Sequence, residues 1–139
     1  MMKKQLLSKI HDHTAVVAVI GLGYVGLPLA VAFAEKGFPV VGIDVDSRKV
    51  GALKRGESYV QDISSARLRP LTRNPKSQET ISSGRLLATT DFGILTQCDA
   101  AIIAVPTPLS KTRDPDMKYV LAAGKSVAHY IHPGMLVVL

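Results

Sequence analysis

Ala15-Val16-Val17-Ala18-Val19-Ile20-Gly21-Leu22-Gly23-Tyr24-Val25-Gly26 is the stretch whose reading decides the fold. Its first six residues are uncharged, rich in β-branched side chains and too few for a buried helix. They read as a strand buried on both faces. The strand runs directly into G-x-G-x-x-G. Leu27 to Gly37 follows, apolar and alanine-rich, with Pro28 where the first turn of a helix tolerates it and Lys36-Gly37 at its close. Pro39 to Ile43 is a second short apolar run, and it ends at Asp44.

In that order each residue has a physical task. Gly21 lets the chain turn tightly out of the strand, Gly23 lets a pyrophosphate approach the backbone, and Gly26 lets the helix pack closely on the strand. The free N–H groups and positive end of the helix then face the phosphates. Asp44 stands 18 residues after Gly26, at the tip of the second strand. A carboxylate there accepts hydrogen bonds from the adenine-ribose hydroxyls and repels a 2′-phosphate, which favours NAD over NADP. The competing reading is a glycine-rich packing motif that holds no ligand. Strand, glycines, helix and acid at the expected distance together favour the dinucleotide.

Ala15 to Ala34 is also twenty residues without a charge, preceded by Lys3, Lys4 and Lys9, which is long enough to span a bilayer. Gly21, Gly23, Gly26 and Pro28 in its middle, and the strand–helix pattern that continues beyond it, argue against a membrane. The whole chain of 139 residues suits one domain, 47% hydrophobic and 20% charged, as in a soluble globular protein. Trp is absent, so the core is aliphatic. The single cysteine, Cys98, rules out an internal disulfide and fits a reducing cytoplasm. Net charge is +6. The basic residues are scattered and not interleaved with aromatics, so nucleic acid is not expected as a partner, whereas anionic small molecules suit the charge.

Residues 1–13 place Leu6, Leu7 and Ile10 at helical spacing, a short amphipathic helix or a frayed tail, with His11 and His13 exposed and no metal site. Residues 14–139 form the remaining, nucleotide-binding unit. A helix is expected within Val45 to Gly56, with Asp46 or Ser47 able to cap its start and Gly56 closing it. Lys49 on it either reaches the adenosine ribose or a phosphate, or is a surface lysine; spacing leaves both open. Gly56 to Ile63 reads as a loop at the C-terminal edge of the sheet. A short helix over Ser64 to Leu71 turns Leu68 and Leu71 inward, and Asn74-Pro75 breaks a polar stretch. Arg85 to Thr90 reads as a strand, and Asp91 caps a short helix through Gln97. Asp99 to Val105 is another buried strand, stopping at Pro106-Thr107-Pro108 where a doubly wound sheet opens its ligand crevice. Cys98 lies at the opposite end and reads as a core filler. Asp116 caps a helix over residues 119–128, and Met135 to Leu139 begins another buried strand.

With these pieces placed, the chain resembles the N-terminal domain of the UDP-glucose/GDP-mannose dehydrogenase family. The residues that carry the resemblance are Ile20 to Pro28, Gly42-Ile43-Asp44 with Lys49 beyond, Val105-Pro106-Thr107-Pro108, and Asp114-Pro115-Asp116-Met117 with Tyr119. It implies an α/β, Rossmann-like, doubly wound parallel sheet, truncated after about five strands. It also implies an enzyme that oxidises C6 of a UDP-sugar to the carboxylate with two NAD, acting as a homo-oligomer. Arg55 to Tyr59 and the Pro-Asp-Met-x-Tyr stretch are most similar to the branch acting on UDP-N-acetylglucosamine or UDP-N-acetylmannosamine, enzymes of polysaccharide biosynthesis. By the same resemblance Gly21, Gly23, Tyr24, Val25 and Gly26 line the pyrophosphate. Asp44 and Lys49 hold the adenosine ribose, and Pro106 and Thr107 sit by the nicotinamide end.

One departure stands out. The family captures its aldehyde on a cysteine within G-G-x-C, with a lysine and an acid nearby, and these 139 residues hold no such motif. Cys98 matches nothing in it. The expectation is a truncated chain without catalytic residues, carrying part of a cofactor site and exposing an apolar surface where the fold is incomplete. A free-standing dinucleotide-binding module is the alternative of another class. A third reading, a 6-phosphogluconate-type or hydroxyacyl dehydrogenase, is disfavoured by Pro-Thr-Pro after a late strand.

Overall fold

Four short apolar runs and the C-terminal one become a five-stranded parallel sheet in the order β3-β2-β1-β4-β5. The strands are β1 (Val17–Ile20), β2 (Val40–Ile43), β3 (Leu86–Thr89), β4 (Ala100–Ile103) and β5 (Leu136–Val138). The structure, a computed structural model, describes residues 2–72 and 81–139. The helices are α1 (Met2–His11), α2 (Gly26–Glu35), α3 (Ser47–Lys54), α4 (Ser65–Thr72) and α5 (Lys118–Tyr130), with a 3-10 helix over Phe92–Gln97. The breaker at Asn74-Pro75 lies outside the described residues. The sheet is the expected α/β, Rossmann-like one, with β1 at its centre pairing in register with β2 and β4. The apparent twenty-residue apolar span divides into β1, the glycine bend and α2. Among the described residues no helix is long and apolar enough to cross a membrane.

Side chains alternate across the sheet, so its inner strands feed two cores. Val17 and Val19 of β1, Val40 of β2 and Leu86 and Ala88 of β3 pack beneath α2, α3 and α4. Ala18 and Ile20, Val41 and Ile43, and Ala101 pack on the other face with Leu95, Cys98 and the α5 residues Ala123 and Val127. Covering both faces is what a parallel sheet requires. The α3 cap is Asp46, whose carboxylate accepts from the Arg48 amide at 2.9 Å. Leu68 and Leu71 of α4 face inward as expected, and Arg67 ties that helix to α2 through a bidentate pair with Glu35 at 2.6 and 2.9 Å.

Three elements differ from their sequence reading. The strand expected over Asp99 to Val105 is regular only from Ala100 to Ile103, and its last two residues are half-buried. Asp99 instead anchors the N-terminal end of the sheet, accepting from the Val16 amide at 2.8 Å and pairing with Lys9 at 3.1 Å. His13 is more than a tail residue. Its ring stacks on Phe38 at 4.5 Å and its Nδ1 lies 2.6 Å from the Lys36 carbonyl, which fastens the end of α1 to the α2–β2 connection. The strand expected to be buried at Met135 to Leu139 forms as β5, but all three of its residues are exposed. It is the sheet's edge, and Leu121 and Ile131 stand exposed with it. An uncovered apolar edge strand is a template for pairing with another chain. The 139-residue chain is therefore expected to associate with rising concentration, and Val137→Lys to shift it toward monomer in sedimentation experiments; a wild-type monomer at all concentrations is the contrary result.

Cys98 is fully buried, as a core filler should be, with its thiol donating toward the Ile94 carbonyl at 3.4 Å. Burial, and secondarily the charge of Asp99, push this thiol from 9.0 up to about 12. Above pH 9 the unfolded thiol loses its proton while the folded one keeps it. Stability therefore falls as pH rises from about 9 toward 12, by at most about 1.4 kcal/mol per pH unit from this group. Urea titrations at pH 7, 9 and 10.5 should show that decline, and Cys98→Ala should flatten it.

Candidate functional site

Parallel strands on either side of a reversal in strand order leave a crevice at their C-terminal ends. Here the reversal lies between β1 and β4. The bend Gly21–Gly26 leaves β1, Asp44 follows β2, and Pro106 and Thr107 lie exposed beyond β4. These segments open on the same end of the sheet.

Gly21 adopts φ +97°, and a Cβ there would meet the Ala104 carbonyl oxygen at 2.7 Å. A side chain at Gly21 would therefore strain the turn and push against the end of β4 together. A Cβ on Gly26 would lie 1.6 Å from the Gly21 carbonyl oxygen. The third glycine is thus required by the bend itself, more than by the helix–strand packing that its spacing suggested. Gly23 is different in kind. A Cβ added to it meets nothing within 4 Å, so that side of the backbone faces open space.

The bend leads into an uncapped helix. No side chain caps α2, and the amides of Gly23, Tyr24, Val25 and Gly26 donate to no protein acceptor among the described residues. The side chains of Tyr24 and Val25 point into solvent, 82% and 70% exposed, so what these two residues offer the crevice is backbone N–H. Unsatisfied donors concentrated at a helix N-terminus, with the positive end of its dipole, form a receptor for an anion.

Asp44 is the one buried charged side chain among the described residues. Its two oxygens are already engaged from within: Oδ2 accepts from the Leu22 amide at 2.9 Å and Oδ1 from the Asp46 amide at 2.8 Å. A carboxylate offers about four lone-pair positions, so two acceptor positions are left after these bonds. Asp44 thus ties the glycine bend to the tip of β2 and keeps acceptor capacity at the lip of the crevice. Lys49 on α3 is half-buried, and its ammonium lies 6.0 Å from the centre of the Tyr59 ring, within cation–π reach.

Three residues of this arrangement were given no role of their own by the sequence. Leu22 occupies a variable position of G-x-G-x-x-G, yet its side chain is fully buried. It sits over Gly42, where a Cβ would come within 2.9 Å of Leu22 Cδ2. Tyr59 donates its hydroxyl to the Leu22 carbonyl. Burial, then the charges of Asp44 and Asp46, raise the Tyr59 phenol well above its ordinary range, so it remains a donor across physiological pH. The signal for Tyr59 was a lone aromatic in a loop at the C-terminal edge of the sheet; for Gly42 it was a glycine inside a strand, which marks a close approach.

Comparison with known proteins supplies the family. Residues 15–139 match the sequence profile of the UDP-glucose/GDP-mannose dehydrogenase family, NAD binding domain. The UDP-N-acetyl-D-mannosamine dehydrogenase of Salmonella typhi is 41% identical over 123 residues, which are 88% of this chain and 27% of that protein. Among solved structures, the UDP-D-ManNAc dehydrogenase of Pyrococcus horikoshii superposes with a TM-score of 0.72 at 35% identity, over 88% of this chain and 27% of that one. A UDP-glucose dehydrogenase from Pyrobaculum islandicum reaches 0.75 at 34% identity, over 90% and 28%. The chain spans about a quarter of the length of these relatives, and it is their nucleotide-binding end that it matches. With an open glycine bend, an uncapped helix and an acid at the tip of β2, this chain belongs to the UDP-glucose/GDP-mannose dehydrogenase family, as its NAD-binding domain.

Proposed function

We propose that this chain is the cofactor-binding part of a cytoplasmic enzyme that oxidises C6 of a UDP-N-acetylhexosamine, of the glucosamine or mannosamine type, for polysaccharide biosynthesis. The single observation that carries the reading is the row of four amides from Gly23 to Gly26 that have no protein acceptor among the described residues, with open space at Gly23 and the Asp44 carboxylate bonded to the same bend. That donor set suits a dinucleotide: free N–H groups for a diphosphate, and an acid for ribose hydroxyls. Gly21, Gly23, Tyr24, Val25 and Gly26 line the pyrophosphate in this reading. Asp44 and Lys49 hold the adenosine ribose, and Pro106 and Thr107 border the nicotinamide.

NAD, when bound, supplies a hydride acceptor. Taking an alcohol to a carboxylate removes two hydrides and adds one water, so two NAD are consumed per sugar. This chain's own contribution is to seat and orient the cofactor. Gly21 and Gly26 keep the bend tight, Gly23 admits the diphosphate, and Asp44 sets the preference for an unphosphorylated ribose. Lys49 adds positive charge near the anionic ligand, in keeping with the chain's net charge of +6. The UDP-sugar and the cysteine, lysine and acid that process the aldehyde belong, in this proposal, to central and C-terminal domains beyond the matched quarter, within a homo-oligomer.

Calorimetry on the purified chain tests the assignment. Since a Cβ at Gly23 has room, Gly23→Val should leave the melting temperature close to wild type while abolishing measurable NAD binding; unchanged NAD affinity removes the pyrophosphate assignment. Asp44→Ala should weaken NAD by about 1–3 kcal/mol, the scale for losing a charged hydrogen-bond partner. It should also lower stability, because the Leu22 and Asp46 amides lose their acceptor. The wild-type chain should bind NAD more tightly than NADP; the reverse order would contradict the role given to Asp44.

A further inference from the structure

The Leu22–Gly23 peptide is gripped from one side only. Tyr59, from the loop after α3, donates its hydroxyl to the Leu22 carbonyl. In a trans peptide the C=O and the N–H point in opposite directions, so fixing that carbonyl toward Tyr59 aims the Gly23 N–H away from it. The Gly23 amide donates to no protein acceptor among the described residues, and the glycine itself borders open space. The preceding peptide is fixed as well, through the Leu22 amide on Asp44 at 2.9 Å, and the Leu22 side chain is seated over Gly42. The Tyr59 hydroxyl is the contact that decides which way the Gly23 amide faces.

We propose that Tyr59 is a positioning residue of the nucleotide site: by holding the Leu22 carbonyl it turns the Gly23 amide outward to donate to the diphosphate of the cofactor. This rests on the dinucleotide reading given above. Tyr59 touches no ligand in this role. It is braced by the Lys49 ammonium 6.0 Å from its ring centre and by partial burial in its loop. The Gly56–Ile63 loop thereby takes part in cofactor binding through a backbone group three elements before it in the chain.

The test compares wild type with Tyr59→Phe, which keeps the ring and its contact with Lys49 and removes only the hydroxyl. Three ligands divide the site: NAD, ADP and adenosine. Affinity for NAD and for ADP should fall about five- to tenfold, the scale of one lost hydrogen bond. Adenosine, followed by chemical-shift titration, should bind both proteins alike, because it lacks the diphosphate. Equal ADP affinity in a folded Tyr59→Phe chain overturns the proposal while leaving the dinucleotide reading intact. An equal loss for adenosine and ADP also overturns it, since that is the pattern of general damage to the site. A wild-type chain that binds neither NAD nor ADP overturns the reading and the proposal together. Should Tyr59→Phe fail to fold, the wild type decides. A slowly exchanging Tyr59 hydroxyl proton with a cross-peak to the Leu22–Gly23 peptide supports the clamp, and a freely exchanging hydroxyl refutes it.

Discussion

Leu22 is held at three points, and the site depends on that. Its side chain is packed over Gly42 of β2, its amide donates to Asp44, and its carbonyl accepts from Tyr59. Each contact comes from a different segment: the interior of β2, the tip of β2 and the loop after α3. A tight glycine bend has many accessible conformations when free, because glycine pays little for positive φ. Holding the one bulky residue between Gly21 and Gly23 removes that freedom where a diphosphate needs a fixed row of donors. Preorganisation of this kind lowers the cost of ordering a loop upon binding.

The same constraint explains why the three glycines are not equivalent. Gly21 and Gly26 are required by internal geometry, since a Cβ on either would run into backbone: that of Ala104 for the first, that of Gly21 for the second. They make the bend possible whether or not a ligand is present. Gly23 has no internal reason to be glycine, because a side chain there meets nothing. A position that tolerates a side chain sterically and yet lacks one, in a row of four amides without a protein acceptor among the described residues, is explained by what approaches from outside. This separates a nucleotide receptor from a glycine-rich packing motif.

The two ends of the sheet carry different burdens. The C-terminal end holds the bend, Asp44 and the Pro106-Thr107 segment. The N-terminal end is fastened by polar contacts of a structural kind: Asp99 with the Val16 amide and Lys9, His13 with Phe38 and Lys36, and His132 Nε2 on the Cys98 carbonyl at 2.7 Å. Cys98 belongs to that end, buried among Leu95 and its neighbours with a thiol held in its protonated form. Its burial, away from the crevice, makes it a packing residue. β5 marks a third region, where the sheet presents an apolar edge.

Much of this was legible in one dimension because the relevant physics is local. β-branched runs, a glycine bend, an alanine-rich helix and an acid 18 residues on are properties of neighbouring residues, and from them followed the strands β1 and β2, the helix α2 and the cofactor class. What only the tertiary structure decided involves residues far apart along the chain. Leu22 and Tyr59 are 37 positions apart, and Val16 and Asp99 are 83 apart. Sequence spacing says nothing about such pairs until the sheet order brings them together. An exposed apolar surface was expected where the fold is incomplete, but that β5 itself would be that surface was set by the sheet order, since an apolar run specifies that a strand wants cover and not whether a neighbour provides it. Periodicity encodes which face of an element is apolar, whereas the partner that meets that face is set by topology.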